Sequence, residues 1–393
     1  MDGRARFEEI RRTLVERNAF YGERLRNGAP LEDLPFTTKE EIVEDQIRQP
    51  PFGTNLTYPI EQYTRIHQTS GTTGKPLFWL DTRESWEWWL RCWEEVYRGA
   101  GVRRGDRVYV AFSFGPFIGF WAAFEAAQRL GVMALSGGGQ TTEQRVNSIV
   151  ERAATVLVCT PTYALRLAET ANRMGMDVAK SAVRATIHAG EPGASIPATR
   201  QRIQEAFGAR TYDHIGMTEM GAYGFECEAQ AGVHINEDEF IAEVVDGELV
   251  LTNLGRAGMP LIRYRTGDRV VLSSDPCSCG RTSARLIGGV LGRTDDMICI
   301  RGVNIFPSAI ENVIRRDPRI VEFGIEVTRH REMHELVINV EIADSVNPAS
   351  VLDRLYRDIA DDLRIRPSIH HVAAGSLPRF ELKAKRVRWS SRE

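Results

Sequence analysis

The chain has 393 residues, a formal net charge of -3, 42% hydrophobic and 26% charged residues. That length accommodates two or three domains with a sizeable core, and the balanced charge gives no global case for binding nucleic acid or a membrane surface. No apolar run is long enough to span a bilayer, and the charged stretch from Met1 to Arg12 lacks a signal-peptide core, so a cytoplasmic location is expected. Six cysteines are too few for a disulfide scaffold; in a reducing compartment, clustered thiols point to metal ligands first.

Residues 1–50 read as helices with a proline-containing connector, and Thr37 or Thr38 followed by carboxylates marks a helix start. The segment Thr69-Ser70-Gly71-Thr72-Thr73-Gly74-Lys75-Pro76 comes next. Its glycines let backbone N–H groups approach an anion, and its hydroxyls and lysine add donors and charge. The spacing excludes a Walker A loop, which needs four residues between its glycines. Ser136-Gly137-Gly138-Gly139-Gln140 likewise lacks the Rossmann spacing. Composition alone fits a surface turn as well as a phosphate cradle.

Beyond the loop, Trp86–Tyr97 reads as helix, Val108–Phe112 as strand, Phe117–Leu130 as helix and Val132–Leu135 as strand. Glu143–Ala153 reads as helix, Val156–Cys159 as strand, Tyr163–Met174 as helix and Ala185–His188 as a buried strand. This alternation predicts an α/β class with parallel layers. From about Glu226 the texture becomes β-rich, with a hairpin around Asp246-Gly247. Near Asp295 it changes again to a β-α-β-β-α order that suits a small α+β domain. The expected division is therefore residues 1–294, a large layered α/β body with a β-rich subdomain at about 226–290, and residues 295–393, a small mobile α+β domain.

Phe112–Trp121 packs five aromatics into ten residues, with Gly115 and Gly119 small enough to leave space for a ring. Phe114, Gly115 and Phe117, together with Gly216, are the candidate substrate-binding residues; ordinary core packing is the alternative for each aromatic. Cys277 and Cys279 form a close thiol pair, and Cys227 and His234 lie on another segment. Together they make a Cys3His set suited to structural Zn2+ with no open position.

Six segments in register carry a resemblance. They are TSGTTGKP at 69–76, HAGEP at 188–192, YDHIGMTE at 212–219, YRTGD at 264–268, GRTDD at 292–296 and LPR at 377–379. The chain resembles the adenylate-forming (acyl-CoA synthetase) superfamily. LPFTTK at 34–39, MPLIRYRT at 259–266 and IRGVNIFPS at 300–308 look closest to its phenylacetate–CoA ligase branch. The resemblance implies that ATP activates an aromatic carboxylic acid as an acyl-adenylate, which CoA then captures as a thioester. Capture by a carrier-protein phosphopantetheine, or a nucleotide-binding relative without catalysis, are the alternatives.

The resemblance also implies roles. Thr69, Ser70, Gly71, Thr72, Thr73, Gly74 and Lys75 would hold the β- and γ-phosphates. Thr218 would donate to the α-phosphate and Glu219 would hold Mg2+. Gly190, Glu191 and Pro192 would wall the adenine, with Asp213, His214, Ile215 and Gly216 beside it. Asp213 stands where the family often has Asn, and Ile215 where it often has an aromatic. Asp268 would accept from the ribose hydroxyls, supported by Arg293. Lys383 is the candidate catalytic lysine, with Lys385 its rival and Leu382 in place of the usual glycine. Asp295 would be the hinge. A homodimer is common in this branch.

Overall fold

The structure, a computed structural model, describes residues 3–69, 76–112, 114–300, 303–330, 333–344, 346–380 and 383–391. Its central sheet has nine strands in the spatial order 272–273, 285–286, 233–235, 221–226, 210–217, 185–188, 156–159, 107–110 and 133–136. The five strands from 133–136 to 210–217 pair in parallel. Strands 156–159 and 185–188 are buried along their whole length. Helices cover both faces of such strands, so 156–159 reads as an unbroken apolar run, while 185–188 buries Thr186 and His188 through hydrogen bonds.

Capping decides several helix starts. Thr38 and Glu41 form a reciprocal capping box at the head of helix Lys39–Arg48. Thr141 and Gln144 do the same at the head of helix Thr142–Glu151. Helix Arg83–Gly99 carries a run of tryptophans into the core, where Trp88, Trp89 and Trp93 are almost fully buried.

Helix Pro197–Phe207 and strand Arg210–Met217 are among the elements outside the sequence-based expectations. The helix has ordinary start and stop signals, Pro197 in its first turn and Gly208 in the left-handed region at φ 61°, but its apolar positions are sparse. The strand carries Asp213 and His214, polar residues buried by hydrogen bonding rather than by hydrophobicity. The β-rich stretch also divides. Strands 221–226, 233–235, 272–273 and 285–286 extend the central sheet antiparallel, whereas 240–245, 248–253, 264–269 and 292–293 form a separate four-stranded sheet.

Residues from Ile298 onward build their own core around Ile310, Ile325, Ile338 and Leu355. Helices Pro307–Arg315 and Pro348–Leu363 pack with a four-stranded sheet ordered 368–372, 333–342, 320–330 and 387–391. The seam with the main body is polar. The Arg202 guanidinium donates to the carbonyls of Arg315 at 2.6 Å, Ile320 at 3.0 Å and Asp317. Ala198 N donates to Asn312 Oδ1 at 3.2 Å. Among the described residues no helix is long and apolar enough to cross a membrane.

Candidate active site

Side chains with candidate roles gather beyond the carboxyl ends of the parallel strands. Strand 107–110 has 133–136 on one side and 156–159 on the other, which makes it the point where connections diverge. Open α/β sheets bind ligands in that crevice. Strands Tyr63–Gln68 and Phe78–Thr82 form an antiparallel hairpin. Thr69 closes the hairpin's loop, its N–H donating to Leu77 O at 3.0 Å and its hydroxyl accepting from Leu77 N at 3.0 Å. Ser70, Gly71, Thr72, Thr73, Gly74 and Lys75 lie outside the described residues.

Thr218 and Glu219 follow strand Arg210–Met217 in a tight turn. A residue absent from the sequence-based set fixes this turn. Arg256, fully buried, donates to the Thr218 carbonyl at 2.7 Å and the Glu219 carbonyl at 3.0 Å. Its other edge makes two 2.8 Å bonds to Asp81 on hairpin strand Phe78–Thr82. The guanidinium carbon stands 5.4 Å from the ring centres of both Trp79 and Trp89. Burial opposes the Asp81 charge, but Arg256 and His67 together outweigh it and hold the carboxyl below its ordinary range. A planar fork of five donors suits this four-bond clamp, whereas lysine does not. Tyr264 reaches the Glu219 carboxylate from the second sheet, its hydroxyl donating at 3.3 Å.

Asp268 and Arg293 are register partners on adjacent strands, with Arg293 Nη1 3.4 Å from Asp268 Oδ1. Tyr223 donates to the other oxygen at 3.0 Å. Burial pushes Asp268 up to about 6, against the pull of Arg293. Asp213 is buried beside Glu226, whose carboxylate accepts from Asp213 N at 2.9 Å. Burial, then the Glu226 charge, raise Asp213 to about 7, and Ser195 donates to it. His214 is buried, and its Nδ1 lies 2.8 Å from Gly224 O. Burial lowers its pKa to about 4, so it is neutral at pH 7. Ile215 is half-buried and Gly216 exposed.

Gly190 and Pro192 are exposed after strand 185–188, with Gly190 at φ 93°. The Glu191 carboxylate points elsewhere, to backbone N–H groups of Thr162 at 3.0 Å and Ala384 at 2.7 Å. Lys383 is exposed, and its charge acts on both Asp268 and Asp296. Asp295 lies in the single helical turn Thr294–Asp296 and accepts from Arg293 Nε at 3.0 Å.

The aromatic segment lines the same crevice. Gln68 N donates to Pro116 O at 2.9 Å, tying it to the hairpin. Phe114 is partly exposed, its ring 4.6 Å from Trp121 and 5.4 Å from Phe124. Trp121 Nε1 donates to Gly115 O at 2.9 Å. Phe112 and Phe120 stack at 3.6 Å. Phe117 precedes helix Ile118–Arg129 and is half-buried. A Cβ on Gly138 would meet Phe114 at 2.9 Å, so a glycine there leaves the ring its place. The glycine run at 137–139 thus borders the aromatic segment, which its lack of a Rossmann spacing does not reveal.

Away from the crevice, ligand atoms of Cys227, His234, Cys277 and Cys279 lie within 4.8 Å of one another. Cys227 Sγ and Cys277 Sγ are 3.7 Å apart, and Cys279 Sγ and His234 Nε2 are 3.6 Å apart. A tetrahedral ion bonded at about 2.3 Å to sulfur and about 2.05 Å to nitrogen would set two sulfurs roughly 3.8 Å apart and sulfur and nitrogen roughly 3.6 Å apart. His234 Nδ1 contacts Ser283 Oγ at 2.9 Å, leaving Nε2 for the ion. The donor set therefore fits Zn2+.

A parallel sheet with a β-rich flank, joined to a small C-terminal unit with a core of its own, is the architecture of an adenylate-forming enzyme. Residues 302–389 match the AMP-binding enzyme C-terminal domain family. The phenylacetate–coenzyme A ligase of Thermus thermophilus is 32% identical over 388 residues, 89% of this chain and 85% of that protein. The chain belongs to the phenylacetate–CoA ligase family. A crystal structure of 2-hydroxyisobutyryl-CoA ligase in the postadenylation state with 2-HIB-AMP is 30% identical and superposes with a TM-score of 0.92, covering 99% of this chain and 89% of that one. The same ligase in its thioesterification state, with 2-HIB-AMP and CoA, covers the same shares at a TM-score of 0.73. The chain therefore superposes better on that ligase in its postadenylation state than in its thioesterification state.

Proposed function

We propose that this chain uses ATP to convert an aromatic carboxylic acid into its acyl-adenylate and then passes the acyl group to CoA. The observation that carries this reading is the convergence of the Thr218–Glu219 turn, the Asp268–Arg293 pair and Lys383 around one crevice, in a member of this family. Joining a carboxylate to the α-phosphate brings two anions together, so the protein's task is positioning and charge neutralisation. Thr218 donates to the α-phosphate, and the Glu219 carboxylate is the hard oxygen ligand a Mg2+ ion requires. Asp268, when ionised, accepts from the ribose hydroxyls, and Arg293 neutralises it. Gly190, Pro192, Ile215 and Gly216 leave the exposed backbone an adenine ring could lie against, with Glu191 and His214 behind it and Asp213 as its polar edge.

Lys383 neutralises the charge that builds between carboxylate and α-phosphate. Its electrostatic reach to Asp268 and Asp296 favours it over Lys385. Thr69–Lys75 join the two hairpin strands in sequence, and their glycines, hydroxyls and lysine suit them to the departing pyrophosphate. Phe114, Gly115 and Phe117 form the wall for the acid, and its rings suit an aryl or arylacetic side chain. A turn at Asp295 between residues 1–294 and 295–393 would let the small unit rotate once the adenylate has formed. The two superposition scores for one related ligase support such a rotation. The Cys227, His234, Cys277 and Cys279 set would hold a structural Zn2+ that staples strand 285–286 and its flanking loop to the sheet.

The test is a pyrophosphate-exchange screen across aryl acids, followed by addition of CoA. Exchange with at least one aryl acid, and release of AMP and aryl-CoA on adding CoA, are expected. Adenylate that accumulates without turnover by free CoA would point to a carrier-protein thiol instead.

A further inference from the structure

Glu191 belongs to the loop assigned to adenine, yet its carboxylate is committed to two backbone donors from different parts of the molecule. Oε1 accepts from Thr162 N at 3.0 Å. That N–H lies in the first turn of helix Pro161–Arg173, where backbone donors lack intrahelical partners and the helix dipole favours an anion. The helix thereby fixes the carboxylate's orientation from within the main body. Oε2 then faces outward and accepts from Ala384 N at 2.7 Å, the residue directly after Lys383.

A second contact flanks the first. Arg386 Nη1 donates to Thr162 Oγ1 at 3.1 Å, while its other nitrogens bond Glu322 at 2.9 and 3.1 Å. Arg386 leads into strand 387–391, which pairs with 320–330 in the small unit. The tail is thus fastened to the small unit through Arg386 and to the main body through Thr162 and Glu191, with Lys383 at the fastened end.

We infer that Glu191 is a positioning residue, a clasp that seats Lys383 for adenylation and must release before thioester formation. This rests on the reading of Lys383 given above. The clasp joins the adenine loop to the lysine, so the backbone that would contact ATP also orders the residue that acts on its α-phosphate. A misplacement of about 1 Å in such a group can cost roughly a hundredfold in rate. Glutamine keeps only one acceptor oxygen and turns its amide nitrogen toward a second donor, so Glu191→Gln preserves half of the clasp.

The experiment compares wild type, Glu191→Ala, Glu191→Gln and Ala384→Pro, the last removing the tail's donor without touching the adenine loop. Pyrophosphate exchange reads adenylation, and transfer from preformed acyl-adenylate to CoA reads the second step. The expected result is exchange kcat reduced about tenfold to a hundredfold in Glu191→Ala and Ala384→Pro, and less in Glu191→Gln. In Ala384→Pro, KM for ATP should change no more than about threefold and CoA transfer should stay within about twofold, and the double variant should be no worse in exchange than either single one. Exchange kcat near wild type, an effect confined to KM for ATP, or both steps falling together would overturn the clasp. Wild-type enzyme that exchanges with no acid would instead overturn the reading of Lys383, and the clasp with it.

Discussion

The two groups proposed to act at the α-phosphate are held in opposite ways. The Thr218–Glu219 turn is gripped by Arg256, which is fully buried, stacked between tryptophans and bonded to Asp81. Lys383 sits on a tail joined to the main body by a few partly buried hydrogen bonds to Glu191 and Thr162. Removing one partner of a buried ion pair strands the other's charge in the core. Separating a polar seam hands its groups back to water, at a net cost of only about 1 kcal/mol per bond. One half of the site is therefore built to stay and the other to leave, which a two-step reaction with two acceptors requires.

The largest expected effect breaks the rigid half. Arg256→Met should lower stability by about 3–5 kcal/mol, because Asp81 is left fully buried with only His67, 3.8 Å away, facing its charge. Denaturant unfolding measures the loss, and Asp81→Asn in the same background should recover part of it. A loss below about 1 kcal/mol would mean the clamp does not hold the turn.

Removing metal should come next. Chelation, or Cys277→Ser, should lower the melting temperature of the main body and leave less than one zinc per chain by elemental analysis. The small unit, with a separate core, should unfold at an unchanged temperature in calorimetry. A protein that carries no zinc as purified would contradict the staple.

A pH titration sharpens the comparison further. Asp268 is raised by burial to about 6, so it is ionised above that pH and protonated below it. As a protonated group it is a poorer acceptor for ribose hydroxyls, so KM for ATP should rise as pH falls through about 6. Stability has the opposite sign. The folded pKa lies above that of an unfolded aspartate, near 3.9, so folding binds a proton between about 4 and 6 and the Asp268 contribution improves as pH falls through that window. Asp268→Asn should flatten both trends.

The smallest effect concerns the acid. Gly138→Ala would press on Phe114, and KM for the acid should rise about fivefold to tenfold with KM for ATP unchanged, the low end of the roughly 1–3 kcal/mol that one methylene is worth in a pocket.

The same contrast explains what was legible in the sequence. The parallel strand Val156–Cys159 was readable because burial on both faces makes it an unbroken apolar run, whereas Ala185–His188, equally buried, carries the polar Thr186 and His188. Thr218, Glu219, Asp268 and Lys383 were reachable through motifs that stand in order. Arg256 was not, because an arginine reads as a surface residue until Asp81, far away in sequence, is seen beside it. The Glu191–Ala384 contact was hidden for a related reason, since one of its partners is a backbone N–H, which carries no side-chain signature. The Cys3His set was readable by residue type, and the fold supplied what spacing could not, the closeness of four ligand atoms from separate segments.

The central claim is that the site makes an acyl-adenylate with Lys383 acting only in that step. The most direct measurement is acid-dependent pyrophosphate exchange and CoA transfer from preformed adenylate, in wild type and Lys383→Ala. The expected result is exchange in wild type with an aryl acid, a loss of at least about a hundredfold in the variant, and CoA transfer nearly unchanged. Equal exchange in the two proteins would contradict the assignment of Lys383, and no exchange in wild type with any acid would contradict the reaction itself.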